Sequence, residues 1–360
     1  MTRALAFYLP QFHPIPENDQ WWGRGFTEWT NVRKALPRFR GHHQPHVPAE
    51  LGYYDLRNPA VQVEQSRLAQ AYGLHGFVYY HYWFSGKRLL EHPLEAMLAN
   101  ADVTIPFALC WANENWTRTW DGQDGQVLMQ QEYAEGDLEA HAELLARVMA
   151  DPRYIRVDGR PLFLVYNAAA LPDEARFTTE FREACFAASG SRLYLCRVES
   201  GRAGRREPTA LGWDAAVDFQ PDSRQLPRKG FWWRAGFHLT GGRGHWASIR
   251  YDYATFVQTM LQRPEPGYKR FPGAMPSWDN SARRERGAFI LSGASPALFE
   301  QWVRAVVARW QPPSEHEDLV FINAWNEWAE GNHLEPDRRW GRAWLEALQR
   351  GLSSPSEHPV

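Results

Sequence analysis

The sequence predicts an α/β fold, a single (β/α)8 barrel whose long βα loops form an active-site face. Three observations predict it. Short apolar runs read as strands and alternate along the chain with segments of helical periodicity. The runs do not alternate polar with apolar residues, the pattern of parallel strands covered by helices. Polar and aromatic residues collect just beyond the ends of these runs, where barrels of this class carry their sites. No Gly-rich dinucleotide turn is present to favour a doubly wound sheet.

The strand-like runs cover residues 5–9, 76–82, 105–111, 161–166, 193–198, 215–219, 274–278 and 319–324. Helical spacing covers 60–72, which ends at the C-cap candidate Gly73, and 138–149, which ends before Asp151-Pro152. It also covers 174–188 and 298–310, the latter stopping at Pro312-Pro313. The sixth and seventh units are irregular, with a basic, Gly- and Trp-rich stretch at 201–251. No low-complexity linker or repeat divides the chain. Residues 1–350 are expected to form one catalytic barrel and 351–360 a C-terminal tail.

The chain has 360 residues, a hydrophobic fraction of 44% and a net charge of -2, which argues against a nucleic-acid or polyanion partner. Its outlying feature is an aromatic fraction of 14% that includes 18 Trp, many beside Asn, Asp, Glu, Arg or Gly. An indole in such a setting can stack on a ligand and hydrogen-bond at its edge. Cys110, Cys185 and Cys196 lie far apart, two of them in apolar runs, and read as buried reduced thiols. No secretory signal precedes the first strand and no apolar stretch approaches 18 residues. A cytoplasmic protein without a transmembrane segment is expected; nothing in the sequence sets its oligomeric state.

The densest chemistry is Asn323-Ala-Trp-Asn-Glu-Trp-Ala-Glu-Gly331, followed by Glu335. Carboxylates at the end of a buried strand, beside aromatic rings, suit glycosidic-bond chemistry: a general acid, a base or nucleophile, and flat apolar faces for sugar rings. The competing reading is a solvated acidic loop with core tryptophans. Glu327 and Glu330 are the catalytic candidates, with Trp325, Asn326 and Glu335 as substrate contacts. The first strand end contributes Gln11, His13, Trp22, Glu28 and Trp29, and the second His81 and Trp83. His81 reads equally well as a hydrogen-bonded core histidine. The third strand end contributes Trp111, Asn113, Glu114, Trp116 and Arg118, a run that could bracket sugar hydroxyls or simply bond its own backbone. Tyr166 follows the fourth strand, and Trp278, Asp279 and Asn280 the seventh. Trp22, Trp29, Trp83, Trp116 and Trp278 are expected to line one groove beside the two glutamates, whereas Trp302 belongs to an outer helix.

Gly41-His-His-Gln-Pro-His46 lacks the cysteines or helically spaced histidine pairs of structural zinc sites, so pocket lining or loop polarity is expected, with no metal and no cofactor. A phosphate-cradling loop, a Gly-Xaa-Ser-Xaa-Gly elbow and a His-Glu-Xaa-Xaa-His helix are all missing, which weakens kinase, hydrolase-triad and metalloprotease readings.

Several stretches together carry a resemblance. They are Phe7-Tyr-Leu-Pro-Gln-Phe-His13, Trp22-Gly-Arg-Gly-Phe-Thr-Glu-Trp-Thr-Asn31, Leu51-Gly-Tyr-Tyr-Asp-Leu-Arg57, Gly76-Phe-Val-Tyr-Tyr-His-Tyr-Trp-Phe84, Cys110-Trp-Ala-Asn-Glu-Asn-Trp-Thr-Arg118, Trp278-Asp-Asn280 and the 323–331 motif. From about residue 4 to residue 346 the chain resembles the WbsX family, labelled glycosyltransferases of surface-polysaccharide (lipopolysaccharide O-antigen) clusters. That family looks like a relative of glycoside hydrolase family 99. The resemblance implies a (β/α)8 barrel acting on an oligo- or polysaccharide. In family 99 two glutamates three residues apart act on α-mannosides with retention; carried over, they fall on Glu327 and Glu330. Position 329 is Ala where that family tends to have His.

The resemblance implies that Glu327 deprotonates the sugar 2-hydroxyl to give a 1,2-anhydro intermediate. Glu330 would protonate the departing oxygen. The acid should then have a raised pKa and the base a lower one. Two alternatives stand beside this retaining hydrolase or transglycosylase: a glycosyltransferase of surface-polysaccharide synthesis, and a non-catalytic carbohydrate-binding barrel.

Overall fold

A computed structural model describes residues 2–118, 123–200, 206–227, 229–242 and 244–353. Nine parallel strands run round a nearly closed barrel: β1 Arg3–Tyr8, β2 Leu74–Phe84, β3 Phe107–Trp111, β4 Arg160–Val165, β5 Tyr194–Glu199, β6 Ala215–Asp218, β7 Arg270–Phe271, β8 Gly273–Ala274 and β9 Leu319–Ile322. β7 pairs with β6 while β8 pairs with β9, so a single stretch of chain, broken only at Pro272, joins the two ends of the sheet. It therefore does the work of one barrel strand. Closure needs close approach at Gly273: a Cβ there would sit 1.9 Å from the Asp218 carbonyl oxygen.

Side chains alternate between two apolar clusters, as strand geometry requires. Leu5 and Phe7 of β1, Cys110 of β3, Leu164 of β4, Cys196 of β5 and Phe321 of β9 fill the barrel interior. Ala4, Ala6 and Tyr8 face outward and join the layer formed with Leu68, Met97, Leu145, Phe181, Phe256 and Trp302 from surrounding helices. All three cysteines are buried free thiols.

The helices start and stop where local chemistry directs. Pro59–Ala71 has Pro at its start and an Asn58 side chain accepting from the Ala60 N–H. Glu174–Ser189 is capped by Asp173 and ends at Gly190 in the left-handed conformation. Asp137–Met149 and Pro296–Arg309 complete the expected set, each within two residues of its sequence boundary. Trp302 lies in the last of these, an outer helix as expected, and is buried.

The seventh unit differs from expectation. The barrel strand begins at Arg270, earlier than residue 274, and Trp278–Asp279 leaves the barrel altogether. That pair joins a separate three-stranded sheet with Ser248–Asp252 and Ala288–Ser292. The cause is visible in the sequence: the Pro272-Gly273 step interrupts regular pairing, and Pro276, three residues after Gly273, removes another donor. Among the described residues no helix is long and apolar enough to cross a membrane.

Candidate active site

The site is built on a short hairpin beyond β9. Asn326–Glu327 pairs antiparallel with Asn332–His333, with the turn Trp328–Glu330 between them. Gly331 closes the turn at φ +56, and a Cβ there would lie 3.0 Å from Cβ of Asp279. Asn326 ties the hairpin to the end of β1. Its Oδ1 accepts from Leu9 N at 2.7 Å, and its Nδ2 donates to Leu9 O at 3.0 Å. With that carboxamide committed to backbone, the neighbouring Glu327 is aimed at the barrel mouth.

Arg283 organises the carboxylates. Its Nη2 donates to Glu327 Oε2 at 2.8 Å, its Nη1 to Glu330 Oε1 at 2.7 Å and its Nε to Glu28 Oε1 at 2.7 Å. One guanidinium thus binds three carboxyls in a largely dehydrated place, and Arg284 adds a weaker pull on Glu330. Burial pushes Glu327 up to about 8, against the opposing pull of Arg283, and the neighbouring Glu330 and Glu28 push it further. Glu330 is also raised, again by burial against the pull of Arg283. The pair does not divide into one high and one low group; both rise because they share one environment.

Glu327 and Glu330 open onto a groove of about 920 Å³ at the C-terminal ends of the strands. Of the sequence candidates, Gln11, Trp22, Asn113, Glu114 and Trp116 line it. So do Tyr166, Trp278 and Asn280. Asn113 holds two strand ends together, donating to the Asn167 carbonyl at 2.9 Å while its Oδ1 accepts from Asn167 N at 2.8 Å. Asn167 Nδ2 in turn donates to Glu114 Oε1 at 3.0 Å. Two polar atoms on the groove wall, Gln11 Nε2 and Trp278 Nε1, are buried with no hydrogen-bond partner.

Other candidates lie away from the groove. Trp29 is buried with its Nε1 donating to the Tyr54 carbonyl at 2.7 Å, and Trp83 donates to Asp137 Oδ1 at 2.8 Å. The expected five-indole lining is therefore corrected to three, Trp22, Trp116 and Trp278, because the other two N–H groups are satisfied inside the fold. Trp111 is fully buried and donates to the Trp83 carbonyl. Trp325 is likewise fully buried. His81 sits 3.0 Å from His141, and burial draws it down to about 3. His13 is buried off the groove and drawn down to about 4 for the same reason. Asp279 is occupied by His42 Nε2 at 2.6 Å and Gln44 Nε2 at 2.8 Å. Glu335 is fully buried, accepting from Trp328 Nε1, Gln65 Nε2 and Tyr54 Oη. Glu28 reaches the site only through Arg283. The Arg118 side chain lies outside the described residues.

Sequence reasoning passed over Arg283, Tyr80 and Tyr82. The tyrosines line the groove, and their hydroxyls are held protonated first by burial, then by Tyr166 and Glu327 at Tyr80 and by Glu327 at Tyr82. For Arg283 a signal existed: three carboxylates gathered at one barrel mouth require a buried cation.

A parallel barrel with an acidic, indole-lined groove at its strand ends defines a (β/α)8 protein with its site at the C-terminal ends of the strands. The chain belongs to the WbsX family: the profile described as "Glycosyltransferase WbsX" matches residues 4–348. It is 45% identical over 351 residues to "Uncharacterized protein WxcX" of Xanthomonas campestris pv. campestris strain B100, covering 97% of this chain and 49% of that protein. The counterpart in strain ATCC 33913 is equally similar, at 45% over 351 residues. The chain thus spans about half the length of these curated relatives. In structure it is similar to a "Glycoside hydrolase-like protein" (TM-score 0.59, 15% identity, covering 98% of this chain and 94% of that one). It is also similar to the GH99 endo-alpha-mannosidase of Bacteroides thetaiotaomicron (TM-score 0.53, 11% identity, covering 97% and 95%).

Proposed function

We propose that the protein is a retaining glycosidase or transglycosylase acting on a 1,2-trans linkage of the α-mannoside type, with Glu327 and Glu330 as its catalytic pair. One observation carries this reading: both carboxyls hang side by side from Arg283 at the floor of an indole-lined groove. Burial raises both carboxyls, Glu327 to about 8, so the first step needs the form of the pair in which Glu327 has given up its proton and acts as base while Glu330 keeps its own and acts as acid.

In the first step Glu327 removes the proton of the sugar 2-hydroxyl. The 2-oxygen attacks the anomeric carbon from the side opposite the leaving group, the glycosidic bond breaks, and Glu330 gives its proton to the departing oxygen. In the second step water or an acceptor hydroxyl opens the 1,2-anhydro ring. Glu330 takes the proton of that hydroxyl and Glu327 returns its own to the 2-oxygen. Two displacements at one carbon restore the starting configuration. Gln11 Nε2 and Trp278 Nε1 supply unsatisfied donors for sugar hydroxyls, and Trp116 an apolar face.

The family's own description favours a second reading, a glycosyltransferase that uses the same groove and a different donor. Incubation with a panel of α-mannoside-like oligosaccharides, against nucleotide sugars plus acceptor alone, separates the two. Product from the first set that is abolished in Glu327→Gln and Glu330→Gln supports the hydrolase or transglycosylase. Product from nucleotide sugars alone replaces it with the transferase.

A further inference from the structure

Behind the catalytic hairpin, on the side away from the groove, three possible metal ligands converge. His46 Nδ1, His333 Nε2 and a carboxylate oxygen of Asp337 all lie within 4.8 Å of one another. His46 Nδ1 and His333 Nε2 are 2.9 Å apart, and His333 Nε2 is 3.7 Å from Asp337 Oδ2. Around a tetrahedral zinc with bonds of about 2.0–2.1 Å, ligand atoms stand about 3.4 Å apart. The observed spacings bracket that value.

The protons at this cluster leave lone pairs uncovered. His333 Nδ1 lies 3.0 Å from the Glu335 carbonyl oxygen, which can only accept, so Nδ1 carries the hydrogen and Nε2 presents a lone pair. Asp337 Oδ1 is taken by the N–H groups of Arg339 and Trp340, yet Oδ2 is buried with no partner. Asp337 and His333 are each 1% exposed. His46 has one proton at Nδ1 to offer, and it can cover His333 or Asp337 but not both. A buried carboxylate oxygen therefore faces another lone pair with no hydrogen between them, an arrangement that a bound cation relieves.

The surroundings are those of a built metal site. The hydrogen bond from His333 Nδ1–H to a backbone carbonyl is the outer-shell contact that orients metal-bound imidazoles. The His333 ring is further fixed by stacking on Trp328, with centroids 3.7 Å apart. Main-chain bonds from Arg338 N to Val47 O and from Ala49 N to Pro336 O hold the two ligand-bearing segments side by side. His43 packs against His46 with ring centroids 4.8 Å apart, and its Nε2 is buried and unpartnered, placing a further donor nearby. The sequence hid the cluster because His46 and His333 stand 287 positions apart.

We infer that His46, His333 and Asp337 form a structural site for a zinc-like divalent cation, with His43 or water completing the shell. Such a cation fastens the 42–48 loop to the hairpin that carries Glu327 and Glu330. It takes no part in bond cleavage, since the cluster lies outside the groove.

The test uses the full chain without an affinity tag, stripped with chelator, dialysed and titrated with Zn2+ or Co2+ alone. We expect uptake of about one equivalent, visible absorption bands of low-symmetry Co2+, and a Tm that rises on adding metal. His46→Gln and Asp337→Asn should each weaken the metal by more than the roughly 10–100-fold that losing an outer-shell partner costs. No uptake by the stripped wild-type chain overturns the inference, whatever the variants do. Uptake that neither substitution alters overturns it equally.

Discussion

Three glutamates sit within nine residues of one hairpin, yet its two faces use them in opposite ways. On the groove face Glu327 and Glu330 are both bound by the Arg283 guanidinium and line open space. On the buried face Glu335 accepts from three neutral donors, Tyr54, Gln65 and Trp328, and is fully buried off the groove lining. All three are pushed up by burial, Glu327 to about 8 and Glu335 to about 7. A raised carboxyl therefore does not itself mark a catalytic group. What separates the faces is the partner supplied from elsewhere in the chain, and whether it leaves the carboxyl with an unfilled position.

The strongest way to break this contrast is to neutralise each carboxyl in place. Glu330→Gln and Glu327→Gln should cut kcat on a cleaved oligosaccharide by roughly 10²–10⁴, the usual general acid–base contribution, with little change in Tm. Near-normal turnover in both would place the chemistry elsewhere.

Arg283→Met comes next. It leaves three buried carboxyls without their counter-charge and should cost about 3–5 kcal/mol in denaturant unfolding. The deficit should grow as pH rises, because protonated carboxyls need no cation. A deficit that does not change with pH would mean the arginine acts through packing.

On the buried face, Glu335→Gln should leave kcat largely intact and lower stability by about 1–3 kcal/mol through a mismatched acceptor. A carboxyl whose folded pKa is raised adds stability below its unfolded value, and this is lost as pH climbs through the folded value. Wild-type stability should therefore fall between about 4.5 and about 7 by a component that the variant lacks. Equal pH profiles for the two chains would remove Glu335 from the linkage.

The smallest effect is expected at the groove wall. Trp116→Ala should raise KM by about tenfold, worth about 1.4 kcal/mol of stacking, with a minor change in Tm. The same change at Trp302, which is 1% exposed in an outer helix, should cost about 3–5 kcal/mol of stability and spare KM.

The barrel was legible because its evidence is local. Runs such as Leu319–Ile322 are apolar on both faces, as a parallel, helix-covered strand requires, and Gly73 and Pro312-Pro313 mark helix ends directly. The site was legible only in part, because indoles and carboxyls serve a groove and a core equally well. Trp83 and Trp116 carry similar neighbours in sequence; one donates to Asp137 from the far side of the barrel wall, the other faces the groove. Glu335 looked like its two neighbours for the same reason. Arg283 stands in the run Ser281-Ala-Arg-Arg-Glu-Arg286, which reads as a solvated basic stretch until the fold brings it over the hairpin. The seventh strand was misplaced because Pro272 divides it into pieces too short to show a period.

The central claim, that Glu327 and Glu330 work through the sugar's own 2-oxygen, is tested most directly by proton NMR of freshly cleaved 1,2-trans oligosaccharides. It is run with wild-type protein on the natural sugar and on its 2-deoxy analogue. The account predicts a first-formed product of unchanged anomeric configuration from the natural sugar and no reaction of the analogue. An inverted first product, or cleavage of the 2-deoxy substrate at a comparable rate, would contradict it.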